Sequence, residues 1–260
     1  MTSTARTTAT APSTATRRVR MDSTRRTALI AGIFYLLTFA ASIPALVLLS
    51  PVLNHPDYIV SAGSDTRVLW GCVLDVVTAL TGIGSAVALY PVVKKQNHAV
   101  ALGFVTSRMF EAAVILIGVV SLLAVVTLRQ DVAGTPGTDP ATLTTVGQAL
   151  VAVRDWTFLL GPNLMAAVNA LLLGSLMYRS RLVPRIIPAM GLIGAPFWLA
   201  VTGMSFFGLA EHGLFGIAVL PVAAWEFSVG VWMVVKGFRP SPITAAAVPS
   251  EAGRSLVPVA

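Results

Sequence analysis

Residues 99–128 read AVALGFVTSRMFEAAVILIGVVSLLAVVTL, and within that run only Arg108 and Glu111 carry charge. At 1.5 Å of rise per residue, a helix needs roughly 20 predominantly apolar residues to cross the hydrocarbon core of a bilayer. This run exceeds that length, so it predicts a membrane-spanning helix that tilts or extends past the interface. Working outward, five further apolar runs of spanning length occur at 29–50, 68–93, 151–178, 186–209 and 214–235. The fold class predicted is all-α: a polytopic integral membrane helical bundle with six transmembrane helices.

Composition agrees with this. Charged residues make up 11% of the 260 positions and apolar residues 55%, against roughly 25% charged in a soluble domain. The formal net charge of +7 could point to nucleic acid, but the basic residues cluster in short segments beside apolar runs. Six arginines precede span one, Lys94 and Lys95 follow span two, and Arg179, Arg181 and Arg185 follow span four. Lys236, Arg239 and Arg254 follow span six. Under strict alternation these fall on one side, leaving Arg67, Arg129 and Arg154 on the other and Arg108 inside span three. That bias places both termini in the cytoplasm of a bacterial plasma membrane and argues against nucleic acid as a partner.

The organisation expected is a disordered basic cytoplasmic tail over 1–24, a six-helix transmembrane domain over 25–238 and a cytoplasmic tail over 239–260. The first segment has almost no large apolar side chains with which to offset the entropy of ordering. Arg25-Arg26 faintly resembles a twin-arginine export signal, yet the following run is too long for a signal peptide and reads as an uncleaved first span. The outer connections, 51–67 and 129–150, read as plain solvated loops. Pro44 and Pro162 predict local kinks. Gly82, Gly84, Gly191, Gly194, Gly203, Gly208, Gly213 and Gly216 read as points of close helix approach. Trp70, Trp198, Trp225 and Trp232 divide between interfacial anchors and core.

Chemistry is sparse. A single cysteine, Cys72, permits no intrachain disulfide and no Cys-based metal site, and His55, His98 and His212 have no zinc-ligand spacing. Neither a cofactor nor a metal is expected. Gly84-Ser85 lacks a histidine base within the spans, and no dinucleotide or phosphate-loop fingerprint appears, so an enzyme is not expected.

Ionisable side chains inside spans are costly and mark candidate sites. Asp75, Arg108, Glu111 and Glu226 form this set, while Arg154 and Asp155 read as interfacial. Counted along their helices, Arg108 lies about 13 Å in, Glu111 and Glu226 about 18 Å in, and Asp75 about 10 Å from the other end. Arg108 and Glu111 share a helix face, so a mid-depth cluster with Glu226 is geometrically allowed. Three acids facing one guanidinium leave two uncompensated negative charges, which calls for a protonated acid, water or a bound cation. Glu226 is the acid best placed to carry the proton. Asn163 and Asn169 suit interhelical hydrogen bonds. The partners expected are the lipid bilayer and a small solute or proton. The competing reading makes the Arg/Glu cluster a structural interhelical salt bridge in a non-catalytic scaffold or regulatory component.

The chain also resembles a bacterial membrane family, domain of unknown function 4386. The resemblance rests on Ala31-Gly32-x-x-Tyr35-Leu36, Ala88-Leu89-Tyr90-Pro91, Ala101-Leu102-Gly103 followed by Arg108-x-x-Glu111, Tyr178 through Pro184, and Glu226 with Trp232 and Lys236-Gly237-Phe238. It implies a six- or seven-span inner-membrane protein and assigns no activity.

Overall fold

The computed structural model describes residues 23–209 and 212–245. Most of the basic tail expected over 1–24 lies outside these residues, as do residues 246–260, and the close approach expected at Gly213 falls at a position whose surroundings are not described. The helices are α1 (Ser23–Asn54), α2 (Thr66–Val93), α3 (His98–Asp131), α4 (Pro140–Phe158), α5 (Leu164–Ser180), α6 (Ile186–Phe206), α7 (His212–Ala218), α8 (Leu220–Val235) and α9 (Pro242–Ala245). A π-helical turn, Leu159–Asn163, joins α4 to α5. Among the described residues six spans are long and apolar enough to cross a membrane: α1, α2, α3, Pro140–Ser180, α6 and Leu214–Val235.

The packing order closes a ring. Helices α1, α2 and α3 pack in sequence, α3 packs on α4 and α5, α5 on α6, α6 on α8, and α8 returns to α1. Each helix therefore turns one face inward and leaves the other for lipid. On α3, Ala112, Ile115, Val119 and Leu122 are buried while Met109, Ile117 and Val120 stand out. Exposed apolar residues of this kind also cover α2 (Val73, Leu80, Val87) and α6 (Ile193, Phe197). Such an outward face is stable in hydrocarbon, where burying apolar surface between helices brings no solvent advantage.

Closure of the ring depends on small residues. A Cβ on Gly32 of α1 would lie 2.8 Å from the Gly230 carbonyl of α8, and one on Gly194 of α6 would lie 2.5 Å from Pro221 Cβ. Gly191 likewise meets the Trp225 ring at 2.7 Å. The close-approach reading does not extend to Gly82, Gly203, Gly208 and Gly216, which have no such neighbour within 4 Å. Glycine periodicity in a span does not say which face touches protein.

Three other expectations are corrected. Span four begins at Pro140, not 151, so most of the 129–150 connection is helical. The local reason is a strong start signal: Asp139 accepts from the Ala141 and Thr142 amides with Pro140 in the first turn. The connection over 51–67 is tied down rather than freely solvated. Arg129, buried at the end of α3, pairs with Asp65 and donates to the Ser61 and Gly63 carbonyls, stacking on Tyr58 at 4.4 Å. Burial and the Asp65 carboxylate to which it donates push the Tyr58 hydroxyl up to about 12. Although its own partial burial opposes this, hydrogen bonds from Gln130 and Tyr58 and the Arg129 charge hold the Asp65 carboxyl below its usual range. Finally, α1 starts at Ser23, inside the expected tail, and runs on as helix through Pro44 and Pro51.

Candidate functional site: an intramembrane charged cavity

Pro162 has no N–H to donate, so the α4–α5 helix must lose a bond near it; the chain widens into the π turn rather than breaking. Trp198 of α6 fastens this turn by donating its Nε1–H to the Asn163 carbonyl at 2.6 Å. The turn borders the interior of the ring, where Asp75, Arg108, Glu111, Arg154 and Glu226 converge.

Arg108 of α3 lies at the centre, 4% exposed. It donates to Glu111 Oε2 at 3.0 Å, to Glu226 Oε1 of α8 at 2.7 Å and to the Tyr35 hydroxyl of α1 at 3.3 Å. The guanidinium also sits over the Tyr35 and Phe104 rings, 5.4 and 5.8 Å from their centroids. Asn169 of α5 donates to the same Glu111 oxygen at 2.8 Å. One arginine thus connects α1, α3 and α8, with α5 attached through Glu111. The Arg108 Nε–H is buried and has no hydrogen-bond partner among the described residues.

Asp75 does not join this cluster. It pairs with Arg154 of α4 at 3.3 Å, and Arg154 lies 4.5 Å over the Phe158 ring. Arg154 was expected at the interface; it is 5% exposed and inside the bundle. The reason is the early start of α4, which places Arg154 about 21 Å into its helix instead of at the mouth. The expected excess of two negative charges is thereby reduced to one, because Arg154 supplies a second cation against Asp75, Glu111 and Glu226.

Both groups line one cavity of about 200 Å³. Thr38, Ser42, Thr78 and Thr157 add hydroxyls, and Phe39, Leu46, Phe158, Trp198 and Val222 make the rest of the wall mostly apolar. Leu46, Arg154 and Phe158 also line a second cavity of about 570 Å³, which reaches Leu53 and Gly208 at the α1–α2 loop end of the bundle. The two charged groups are stacked along the bundle axis. Gly118 of α3 packs against the Arg154 side chain and lies seven residues beyond Glu111, about 10 Å further along the helix.

Sequence reading named Asp75, Arg108, Glu111 and Glu226 but missed Tyr35, Arg154 and the Trp198 clasp. Tyr35 stood in the motif carrying the family resemblance without a role. Asp139-Pro140 was the signal that would have moved Arg154 inward.

Fold and site together define a polytopic membrane protein of six spans enclosing a charged interior cavity. The chain belongs to the family described as Domain of unknown function (DUF4386), whose model matches residues 30–237. No curated protein and no solved structure matches it.

Proposed function

We propose that this protein is a small-solute transporter, coupled to protons, in a bacterial plasma membrane with both termini cytoplasmic. The observation that carries the reading is the cavity itself. A bundle held together only by its own packing has no need to keep an interior space with Asp75, Arg108, Glu111, Arg154 and Glu226 on its wall, since buried ions are costly. In this reading the solute occupies the cavity, Arg108 orients the acids, and Glu226 exchanges the proton. In this reading the neighbouring cavity is the side of entry, and the charge bias of the connections supports an extracytoplasmic placement for it. The protein acts as a carrier and not as an enzyme.

A specific observation favours the alternative, a scaffold or regulatory component: every one of these five charged groups has an ion partner. Proteoliposomes loaded with a pH-sensitive dye separate the two. Under transport, addition of amines, organic acids, amino acids or sugars reveals at least one solute that moves protons, and Glu226→Gln abolishes that movement while the protein stays monodisperse. If no solute moves protons and Glu226→Gln instead destroys folding, the scaffold reading stands.

A further inference from the structure

Resting on the transport reading, we infer that the cavity binds a compact organic monocation that donates hydrogen bonds, a primary or secondary ammonium with an apolar body. The first argument is charge. The acids on the wall of this cavity are Asp75, Glu111 and Glu226 and the cations Arg108 and Arg154, while α5 adds neutral Asn169, α1 adds Tyr35, α6 carries no charged residue, and Asp155 of α4, beside Arg154, lines the neighbouring cavity instead. One negative charge is left over. Asp75 and Arg154 match one for one, so the excess sits at the Glu111–Glu226 end, where one guanidinium serves two carboxylates.

The second argument is hydrogen-bonding capacity, and it is independent of charge. Bonds from protein reach Glu111 Oε2, Glu226 Oε1 and Asp75 Oδ2. The other oxygen of each acid accepts nothing from the described residues. The acid side chains remain 12%, 15% and 10% exposed respectively, whereas the free Nε–H of Arg108 is sealed off. The accessible capacity at the Glu111–Glu226 end is therefore acceptor capacity, which suits N–H donors on a cation and disfavours a carboxylate.

Size and walls set the rest of the ligand. About 200 Å³ is below the roughly 300 Å³ at which pockets for drug-sized ligands begin. Phe39, Phe158 and Trp198 offer aromatic surface to the apolar body of the ligand. A proton and the organic cation then satisfy the same excess charge and exclude each other: when the ammonium enters, the acid's proton leaves to solvent. That exclusion is the coupling a proton-driven exchanger needs.

The test is calorimetric binding of methylammonium, ethylammonium and benzylammonium to the full chain in nanodiscs, with benzoate and benzyl alcohol as charge controls. At least one ammonium should saturate, releasing up to one proton. Its apparent affinity should weaken as pH is lowered, approaching tenfold per pH unit, and benzoate should not compete. Glu226→Gln should weaken binding tenfold or more, with Glu226→Asp recovering part of it; the pH series on the unaltered protein tests the exclusion without any variant. Binding of benzoate in preference to the ammoniums, or no ammonium binding up to 10 mM, overturns the inference. Proton movement driven only by acids or sugars would sink the cation site and leave transport standing. Ammonium binding without any flux would do the reverse.

Discussion

Arg108 holds two carboxylates at once, so its loss and the loss of Glu226 should differ in size and should not add. Replacing Arg108 by Met keeps much of the stem but leaves Glu111 and Glu226 facing each other without their cation. Breaking a buried ion pair in this way costs about 3–5 kcal/mol. Glu226→Gln is milder: Arg108 keeps Glu111 at 3.0 Å, the Gln carbonyl still accepts its N–H, and one excess negative charge is removed. A cost of about 1 kcal/mol is expected, the scale of one weakened hydrogen bond. Independent sites would then give about 5 kcal/mol for the double variant. The geometry predicts less than Arg108→Met alone, about 2–3 kcal/mol, because Glu226→Gln removes one of the two orphaned charges. Reversible unfolding in mixed micelles, followed by tryptophan fluorescence, measures all four corners of the cycle. A double variant as unstable as the sum of the singles, or a Glu226→Gln cost matching Arg108→Met, would refute the shared-cation arrangement.

The Asp65–Arg129 lock should respond to acid. The folded-state Asp65 carboxyl is held below its ordinary value, so its contribution is present above about pH 4 and is lost as the pH falls through the depressed value. Hydrogen exchange of residues 55–65 should rise on acidification, and Arg129→Met should raise it at neutral pH and reduce the acid dependence, leaving the part due to the Gln130 and Tyr58 bonds. An acid response as large in Arg129→Met as in the unaltered protein would show that Arg129 does not lock the loop. Two glycine substitutions test the ring closure: Gly191→Ala, whose Cβ meets Trp225 at 2.7 Å, should cost about 1–3 kcal/mol. Gly203→Ala, with open space around it, should be neutral or stabilising by up to about 1 kcal/mol in the same unfolding assay; equal costs would count against the packing described.

The sequence alone was enough for the six spans, because hydrocarbon leaves the backbone no hydrogen-bonding partner but itself and so demands long apolar helices. For the same reason the intramembrane charges stood out: Asp75, Arg108, Glu111 and Glu226 are conspicuous in runs that otherwise carry none. The pairing of Arg108 with Glu111 was also legible, since three residues on a helix define one face. The Arg108–Glu226 bridge was within reach as the structural alternative, but the cation that meets Asp75 was not. Asp75 and Arg154 are 79 residues apart, and no local rule relates them; the ring order of the helices brings them together. Arg154 was further obscured by a polar stretch, 140–150, that reads as loop until the Asp139 cap and Pro140 are weighed. The cavity is likewise a property of the closed ring, because its wall takes residues from α1, α2, α3, α4, α5, α6 and α8 together with Pro162 of the π turn. Spacing along one chain determines what a helix is and how deep its charges lie. Only packing among six of them decides which charges are compensated and what space is left between them.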